Sequence, residues 1–223
     1  MPLELVIFDC DGVLVDSEPL SNRIFVEALA ELGLNITLED CVNIFVGRPA
    51  ETNVATIEEM LGGPVPPNFL SELVTKAEKH FEMHLEAVPG IKAALEQINL
   101  PVCVASSSGP ELIRKNLALT GLLDRFGENI FSSTQVKNGK PAPDIFLFAA
   151  KNMQAQPENC VVVEDSVAGV QAGHAAGMNV LAYTGTFPRD ALQEAGAHTL
   201  FDDMSMLPQL IGNVMPPVIG SAS

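Results

Sequence analysis

Short apolar runs alternate along the chain with longer segments in which apolar residues recur every three or four positions. Each short run ends in a polar or glycine-rich loop, which is typical of a buried strand. Continuous apolar strands separated by helices are typical of a parallel sheet covered on both faces. The pattern therefore predicts an α/β fold with a doubly wound parallel sheet. Its predicted strands are Leu5–Asp9, Val102–Ser106, Ile130–Ser132, Cys160–Glu164 and Val180–Ala182, with a weaker sixth at Thr199–Phe201.

The stretch between the first two strands has the helical period throughout and is too long for a simple crossover. Ser17 and Pro19 predict a helix start, and Gly33 predicts its end. Further helices are predicted at Glu39–Phe45, Ala50–Leu61 and Pro67–Glu86. We therefore predict a discontinuous core of residues 1–16 and 89–213, a helical cap of residues 17–88, and a tail of residues 214–223.

Composition narrows the possible partners. The net charge of −16 would repel nucleic acid, so a small anionic substrate would need a locally positive site. The last twenty residues carry no charge but contain prolines and glycines that break a membrane helix, and the N-terminus has no basic leader. The four cysteines have no CxxC spacing and predict buried thiols in a reducing compartment. We expect a soluble cytoplasmic protein, a monomer or weak homodimer.

Acidic residues follow the predicted strands. Asp9 and Asp11 end the first strand with the same orientation, because strand side chains alternate with period two. Glu164 and Asp165 end another strand, and Ser106 ends a third. Ligands of such sheets bind at the carboxyl ends of the strands. A carboxylate pair there can hold a divalent cation, supply a nucleophile, or divide the roles of acid and base.

Four motifs in this order resemble the haloacid-dehalogenase-like hydrolases over nearly the whole chain. They are Asp9-x-Asp11-Gly12-Val13-Leu14, then Ser106, then Lys140 in Gly139-Lys140-Pro141, and finally Glu164-Asp165. The resemblance implies that Asp9 is a nucleophile that forms an aspartyl-phosphate, and that Asp11 is the acid and base. It also implies a Mg²⁺ site formed by Asp9, the backbone carbonyl of Asp11, Glu164 and Asp165, with Glu164 binding directly or through water.

The resemblance further implies that Ser106 and Ser107 bind the phosphoryl group and that Lys140 offsets its charge. Arg48, in the predicted cap, is a candidate contact for an anionic substrate. Ser108-Gly109-Pro110-Glu111 also fits a capping box that opens a helix, so Ser108 has a structural reading beside a functional one. Cys10 alternates away from the two aspartates on the strand, which favours a core position over a nucleophilic one.

Several activities are compatible with this motif set. The first is Mg²⁺-dependent hydrolysis of a small phosphate monoester, such as a sugar phosphate or a similar metabolite. The second is a β-phosphoglucomutase-like isomerase, although Ser21 and Ala50 stand where that branch has His and Arg. Dehalogenation needs no metal, yet the second aspartate and the Glu-Asp pair are retained. A non-catalytic phospho-ligand sensor is the fourth alternative.

Overall fold

The computed structural model describes residues 2–46 and 50–214. These residues form two compact units, one of residues Ser17–Leu85 and one of the described residues on either side of that segment. The sequence predicted the second boundary three residues later, at 88/89. Residues 86–88 belong to the other unit, because they hydrogen-bond to the loop that follows the first strand. Asp16 N–H donates to the Glu86 carbonyl, and Val88 N–H donates to the Leu14 carbonyl. The assignment of these units as core and cap domains stays a prediction.

The unit on either side of Ser17–Leu85 is built on one parallel sheet, as predicted. Among the described residues its strands are β1 (Leu5–Phe8), β2 (Val102–Ser106), β3 (Ile130–Ser132), β4 (Cys160–Glu164), β5 (Asn179–Tyr183) and β6 (Thr199–Phe201). Their order in the sheet is β3-β2-β1-β4-β5-β6, and each neighbouring pair is parallel. All residues of β1, β2 and β4 are buried, which explains their apolar character. The doubly wound α/β fold is confirmed.

The helices of the two units are numbered here in chain order. The helical unit contains α1 (Glu18–Glu31), α2 (Leu38–Phe45), α3 (Ala50–Leu61) and α4 (Phe69–His84). The sheet unit contains α5 (Ile91–Gln97), α6 (Pro110–Leu119), α7 (Leu123–Phe126), α8 (Asp144–Asn152), α9 (Val167–Ala175), α10 (Arg189–Glu194) and α11 (Leu207–Asn213). None of the described helices is long and apolar enough to cross a membrane. The predicted tail lies, from residue 215 onward, outside the described residues.

Each unit has its own apolar core. In the helical unit, Leu29, Cys41, Phe45, Ile57 and Phe69 are buried together. In the sheet unit, the residues of β1, β4 and β5 pack against α8 and α9. Burying side chains of this kind is the main source of folding free energy in a domain. The four cysteines are free and buried in these cores, as their sequence context predicted.

His198 gives the edge of the sheet a pH-dependent contact. Its Nδ1 accepts a hydrogen bond from Val180 N–H at 3.0 Å, so the ring is neutral at that nitrogen. Burial lowers the pKa of His198, and the nearby His174, whose ring centroid is 5.7 Å away, lowers it further. A pKa below the ordinary 6.5 means that the unfolded chain takes up the proton first. His198 therefore costs no stability above its ordinary pKa of 6.5. The part of the free energy of unfolding that depends on its neutral form is lost as the pH falls from there through the lowered pKa of the folded protein.

We expect His198→Asn to flatten the acid side of the stability profile. The amide oxygen of Asn can accept the Val180 N–H bond but cannot be protonated in this range, so the linkage to pH is removed. The measurement is the Tm at several values from about pH 8 to about pH 5, around the ordinary pKa of histidine. His84→Asn, on an exposed position of α4, is the matched control. Equal pH slopes for wild type and His198→Asn would contradict this prediction.

Candidate active site

The site lies where the sheet changes winding direction. β1 stands between β2 and β4, and the chain reaches these neighbours by crossovers that lead to opposite halves of the sheet. Such a switch point leaves a crevice at the carboxyl ends of the strands. Asp9 follows β1, Ser106 ends β2 and Glu164 ends β4, and all three are buried. The topology thus brings together residues that are up to 155 positions apart, since Asp9 and Glu164 flank one crevice.

Lys140 links two of these acids. Its Nζ donates to Asp9 Oδ1 at 2.6 Å and to Glu164 Oε1 at 2.7 Å. Only 5% of the Lys140 side chain is exposed, so its charge is compensated by these carboxylates rather than by water. Burial alone would lower the pKa of Lys140, but the charges of Asp9 and Glu164 outweigh it and leave that pKa raised. Lys140 is therefore a protonated cation held against Asp9.

Glu164 uses both of its oxygens inside the protein. Oε1 accepts from Lys140, while Oε2 accepts from the backbone N–H groups of Asp165 and Ser166 and from the Ser166 hydroxyl, each at 2.9 Å. Gly169 on α9 gives this carboxylate its space, because a Cβ at Gly169 would lie 1.7 Å from Glu164 Oε1. Glu164 thus orients Lys140 and the start of α9 in this structure.

Gly12 makes corresponding room for Asp165. Its φ of +78° belongs to the left-handed region that glycine favours, and a Cβ there would lie 2.0 Å from Asp165 Oδ2. The same Cβ position lies 3.1 Å from the hydroxyl oxygen of Thr186, in the loop after β5. The motif glycine therefore allows the loop after β1 to lie close to Asp165, and Thr186 lies next to the same glycine.

Asp9, Glu164 and Asp165 form a compact acidic cluster. Each offers a carboxylate oxygen, these oxygens lie within 4.8 Å of one another, and all three residues are buried. Burial raises the pKa of Asp9 to about 7; Lys140 opposes this shift, whereas the charges of Glu164 and Asp11 add to it. One lysine cannot neutralise three carboxylates, so a divalent cation would complete the charge balance. Buried oxygen ligands without sulfur or imidazole suit Mg²⁺.

The serine loop after β2 is fixed by its own hydrogen bonds. Ser106 is buried and its Oγ accepts the Ser108 N–H at 3.1 Å. Ser107 is exposed, and its carbonyl accepts from the Ser133 hydroxyl at 2.9 Å. Ser108 donates from its hydroxyl to Asp11 Oδ2 at 2.8 Å. The capping-box prediction for Ser108 is wrong, because α6 begins after Gly109 without a side-chain cap and the hydroxyl is directed to Asp11 instead.

Most of the predicted site residues lie at this crevice. Asp9, Lys140, Glu164 and Asp165 are in contact or in one cluster, and Ser106 belongs to the loop bonded to Asp11 through Ser108. The group of residues whose carboxylate oxygens lie close enough to hold a metal is Asp9, Glu164 and Asp165, and the binding of a metal by the Asp11 carbonyl stays a prediction. Arg48 lies outside the described residues. Burial raises the pKa of Cys10 far above its ordinary value, which fits its core position.

Sequence reasoning missed four contributors to the site. Gly169 accommodates Glu164, and Thr186 lies next to Gly12, but neither residue belongs to a motif that the sequence analysis identified. Ser132 and Ser133, at the end of β3, bond to the carbonyls of Ser108 and Ser107. A polar run directly after a buried strand, as in Phe131-Ser132-Ser133-Thr134, was the available signal for the last two.

Comparison with known proteins agrees with this geometry. The model of the haloacid dehalogenase-like hydrolase family matches residues 3–177. The chain is 34% identical to the 6-phosphogluconate phosphatase of Escherichia coli (strain K12) over 213 residues, which cover 93% of this chain and 94% of that protein. It is 32% identical to the phosphorylated carbohydrates phosphatase of Thermotoga maritima, covering 97% of this chain and 100% of the relative.

A solved structure is similar to this chain over most of its length. The crystal structure of a HAD family hydrolase from Deinococcus radiodurans, with bound phosphate and sodium, has a TM-score of 0.83 and 30% identity, covering 97% of this chain and 99% of that one. The chain belongs to the haloacid dehalogenase-like hydrolase family. The family and its named phosphatase members identify it more narrowly as a phosphoric monoester hydrolase.

Proposed function

We propose that this enzyme is a Mg²⁺-dependent phosphatase that hydrolyses a small phosphorylated metabolite, with sugar phosphates as the substrate class. The observation that supports it best is the buried contact of Lys140 with Asp9, beside the cluster of Asp9, Glu164 and Asp165. The named relatives act on phosphorylated carbohydrates, which supports the substrate class. They also disfavour the phosphoglucomutase alternative, since they are phosphatases.

Asp9 is the proposed nucleophile. One carboxylate oxygen attacks phosphorus, the bond from phosphorus to the substrate oxygen breaks, and an aspartyl-phosphate forms. Lys140 holds Oδ1 of Asp9 at 2.6 Å and places a positive charge beside the group that is transferred. The hydroxyl of Ser106, which accepts from Ser108, still has its own proton to donate to a phosphoryl oxygen. Ser107 supplies a second donor from the same loop.

Asp11 is the proposed acid and base. In the first step it protonates the leaving oxygen, and in the second it takes a proton from the water that attacks the aspartyl-phosphate. Both roles need the same carboxyl group at the mouth of the crevice. Arg48, outside the described residues, stays a proposed contact for the rest of the substrate.

Mg²⁺ is the cation that the donor set fits, and Asp9, Asp165 and the Asp11 carbonyl are its proposed ligands, with Glu164 as a direct or water-mediated one. When bound, the ion supplies charge neutralisation between the anionic nucleophile and the phosphate. Asp9 and Asp165 would then be carboxylates, and Lys140 would keep its two hydrogen bonds.

We expect Mg²⁺-dependent release of phosphate from sugar phosphates and from 4-nitrophenyl phosphate. Activity should disappear in excess chelator and return when Mg²⁺ is added, because three buried carboxylates with one lysine repel an anionic substrate. The measurement is inorganic phosphate released from a panel of phosphate monoesters. Full activity in excess chelator would contradict the metal-dependent mechanism.

The same assay separates hydrolysis from isomerisation. The protein is incubated with β-glucose 1-phosphate and a trace of glucose bisphosphate, and both free phosphate and glucose 6-phosphate are followed. We expect free phosphate as the main product. Ser21 and Ala50 replace the His and Arg with which the mutase branch would engage the sugar, so water should reach the aspartyl-phosphate. Stoichiometric conversion to glucose 6-phosphate without phosphate release would overturn the hydrolase assignment.

A further inference from the structure

A chain of hydrogen bonds leads from the end of β3 to Asp11. The hydroxyl of Ser132, which is fully buried, donates to the Ser108 carbonyl at 2.7 Å. The backbone N–H of Ser108 donates to Ser106 Oγ at 3.1 Å, and the hydroxyl of Ser108 donates to Asp11 Oδ2 at 2.8 Å. Ser108 is thus held through its backbone on both sides while its side chain contacts Asp11. This hydroxyl does not cap the following helix, because α6 begins without a side-chain cap.

We propose that Ser108 is a positioning residue that orients the carboxyl group of Asp11 for its proposed role in proton transfer. This inference rests on the proposed function, in which Asp11 is the acid and base. It differs from phosphate binding, the role that the sequence suggested for the neighbouring serines.

The chemistry follows from the direction of the hydrogen bond. A hydroxyl can donate to the carboxylate form of Asp11 and also to the carbonyl oxygen of its protonated form, so this hydrogen bond can persist through both steps. When the bond from phosphorus to the substrate oxygen breaks, the proton of the Asp11 carboxyl group moves to that oxygen. When water attacks the aspartyl-phosphate, its proton moves to the Asp11 carboxylate, the bond from phosphorus to the Asp9 oxygen breaks, and inorganic phosphate leaves. Ser108 keeps its own proton throughout, so no further reactant is needed.

Ser132 gives this arrangement its rigidity. Its Oγ accepts from Thr134 N–H at 3.2 Å while it donates to the Ser108 carbonyl, and Ser132 N–H donates to the Gln135 side chain at 2.8 Å. The hydroxyl of Ser132 therefore has a fixed direction. A catalytic group must be held within a few tenths of an ångström of its productive position, which needs supporting residues of this kind.

The test uses two substrates that differ in their need for an acid. An alkyl phosphate has a poor leaving group that requires the proton from Asp11, whereas 4-nitrophenyl phosphate has a leaving group that departs without one. The value of kcat/KM reports the steps up to formation of the aspartyl-phosphate, so it isolates acid catalysis from the later hydrolysis. The alkyl substrate is the sugar phosphate that the wild type hydrolyses best.

We expect Ser108→Ala to lower kcat/KM by about tenfold for the alkyl phosphate and by less than about threefold for 4-nitrophenyl phosphate. The larger loss is a part of the rate enhancement, about 10²–10⁴-fold, that general acid catalysis supplies. Ser108→Thr, which keeps a hydroxyl, should recover most of the alkyl activity. Ser133→Ala is the matched control, because Ser133 bonds to the Ser107 carbonyl in the same loop without touching Asp11. Ser133→Ala should change the kcat/KM of both substrates by the same factor.

The outcomes separate the inference from the proposed function. Asp11→Asn should show the same substrate preference as Ser108→Ala, to a larger extent. A wild type that releases no phosphate, or an Asp11→Asn variant without a substrate preference, would refute the proposed function and the inference with it. If Asp11→Asn behaves as expected but Ser108→Ala lowers kcat/KM equally for both substrates, the inference alone is overturned. Should Ser108→Ala fold poorly by circular dichroism, the unequal recovery of the two substrates by Ser108→Thr decides the matter.

Discussion

Asp9→Asn should abolish phosphate release while the protein remains folded. The amide is a poor nucleophile, so the covalent step cannot proceed, and the loss should reach at least about a thousandfold in kcat, the scale on which removed catalytic groups act. The side chain follows β1 and does not fill the sheet interior, so its isosteric replacement leaves the packing unchanged. The measurement is single-turnover phosphate release in Mg²⁺, together with the Tm.

The Tm provides an independent check on the charge of the site. Without Mg²⁺, three buried acids face one lysine, and burial already raises the pKa of Asp9 to about 7. Replacing Asp9 by Asn removes one of these acids, so the Tm in chelator should not fall. Asp16→Asn, an exposed carboxylate in the same segment of chain, is the matched control and should keep nearly full activity. More than about a thousandth of the wild-type rate in Asp9→Asn would place the nucleophile elsewhere.

The fold could be predicted from the sequence because its signals are local and repeated. The strands β2, β3, β4 and β6 have the predicted bounds, β1 ends one residue earlier than predicted, and β5 is one residue longer at each end. Continuous apolar runs leave few alternatives to a parallel sheet buried on both faces. The order of the strands is not visible in any one run. In the structure β1 lies between β2 and β4, so its acidic end meets Ser106 at the end of β2 and Glu164 at the end of β4.

The details of the site could not be predicted because they depend on distances between loops. Asp9 and Lys140 were identified by their motifs, yet nothing in the sequence indicates that Lys140 also contacts Glu164. The spacing around Ser108 fitted a capping box, and a role in binding the phosphoryl group was left open beside it. The structure shows a third arrangement, because the loop after β1 brings Asp11 within 2.8 Å of the Ser108 hydroxyl. The close approach of Gly169 to Glu164 likewise depends on the tertiary structure and has no signal in the local sequence.

Lys140→Met should be the most damaging substitution for activity and stability together. Its ammonium group is the cation seen to contact Asp9 among the described residues, and it also lies 5.0 Å from the ring centroid of Phe146. Methionine has a similar length and keeps the apolar stem, so the change removes charge rather than volume. Without this charge, Asp9 and Glu164 repel each other and the transferring phosphoryl group. We expect kcat to fall by about 10²–10³-fold, as for the loss of one preorganised donor.

The stability effect should be largest without Mg²⁺ and at alkaline pH. Removing one partner of a buried ion pair leaves an uncompensated charge and costs about 3–5 kcal/mol. As the pH falls, Asp9 can take up a proton, because its pKa is already raised to about 7. The difference in free energy of unfolding between wild type and Lys140→Met should therefore shrink between about pH 8 and about pH 5. Lys137→Met is the control, because Lys137 is an exposed lysine three residues away.

These expectations are measured by urea unfolding in chelator at several pH values, beside phosphate release in Mg²⁺. In urea, ΔG is extrapolated linearly to water, and unchanged m-values show that the variant differs in stability and not in compactness. Lys137→Met should match the wild type in both assays. A Lys140→Met variant as stable as wild type at pH 8 would mean that Asp9 and Glu164 are not both charged there. A variant that keeps wild-type turnover would show that the phosphoryl charge is neutralised by other groups, and the role proposed for Lys140 would be withdrawn.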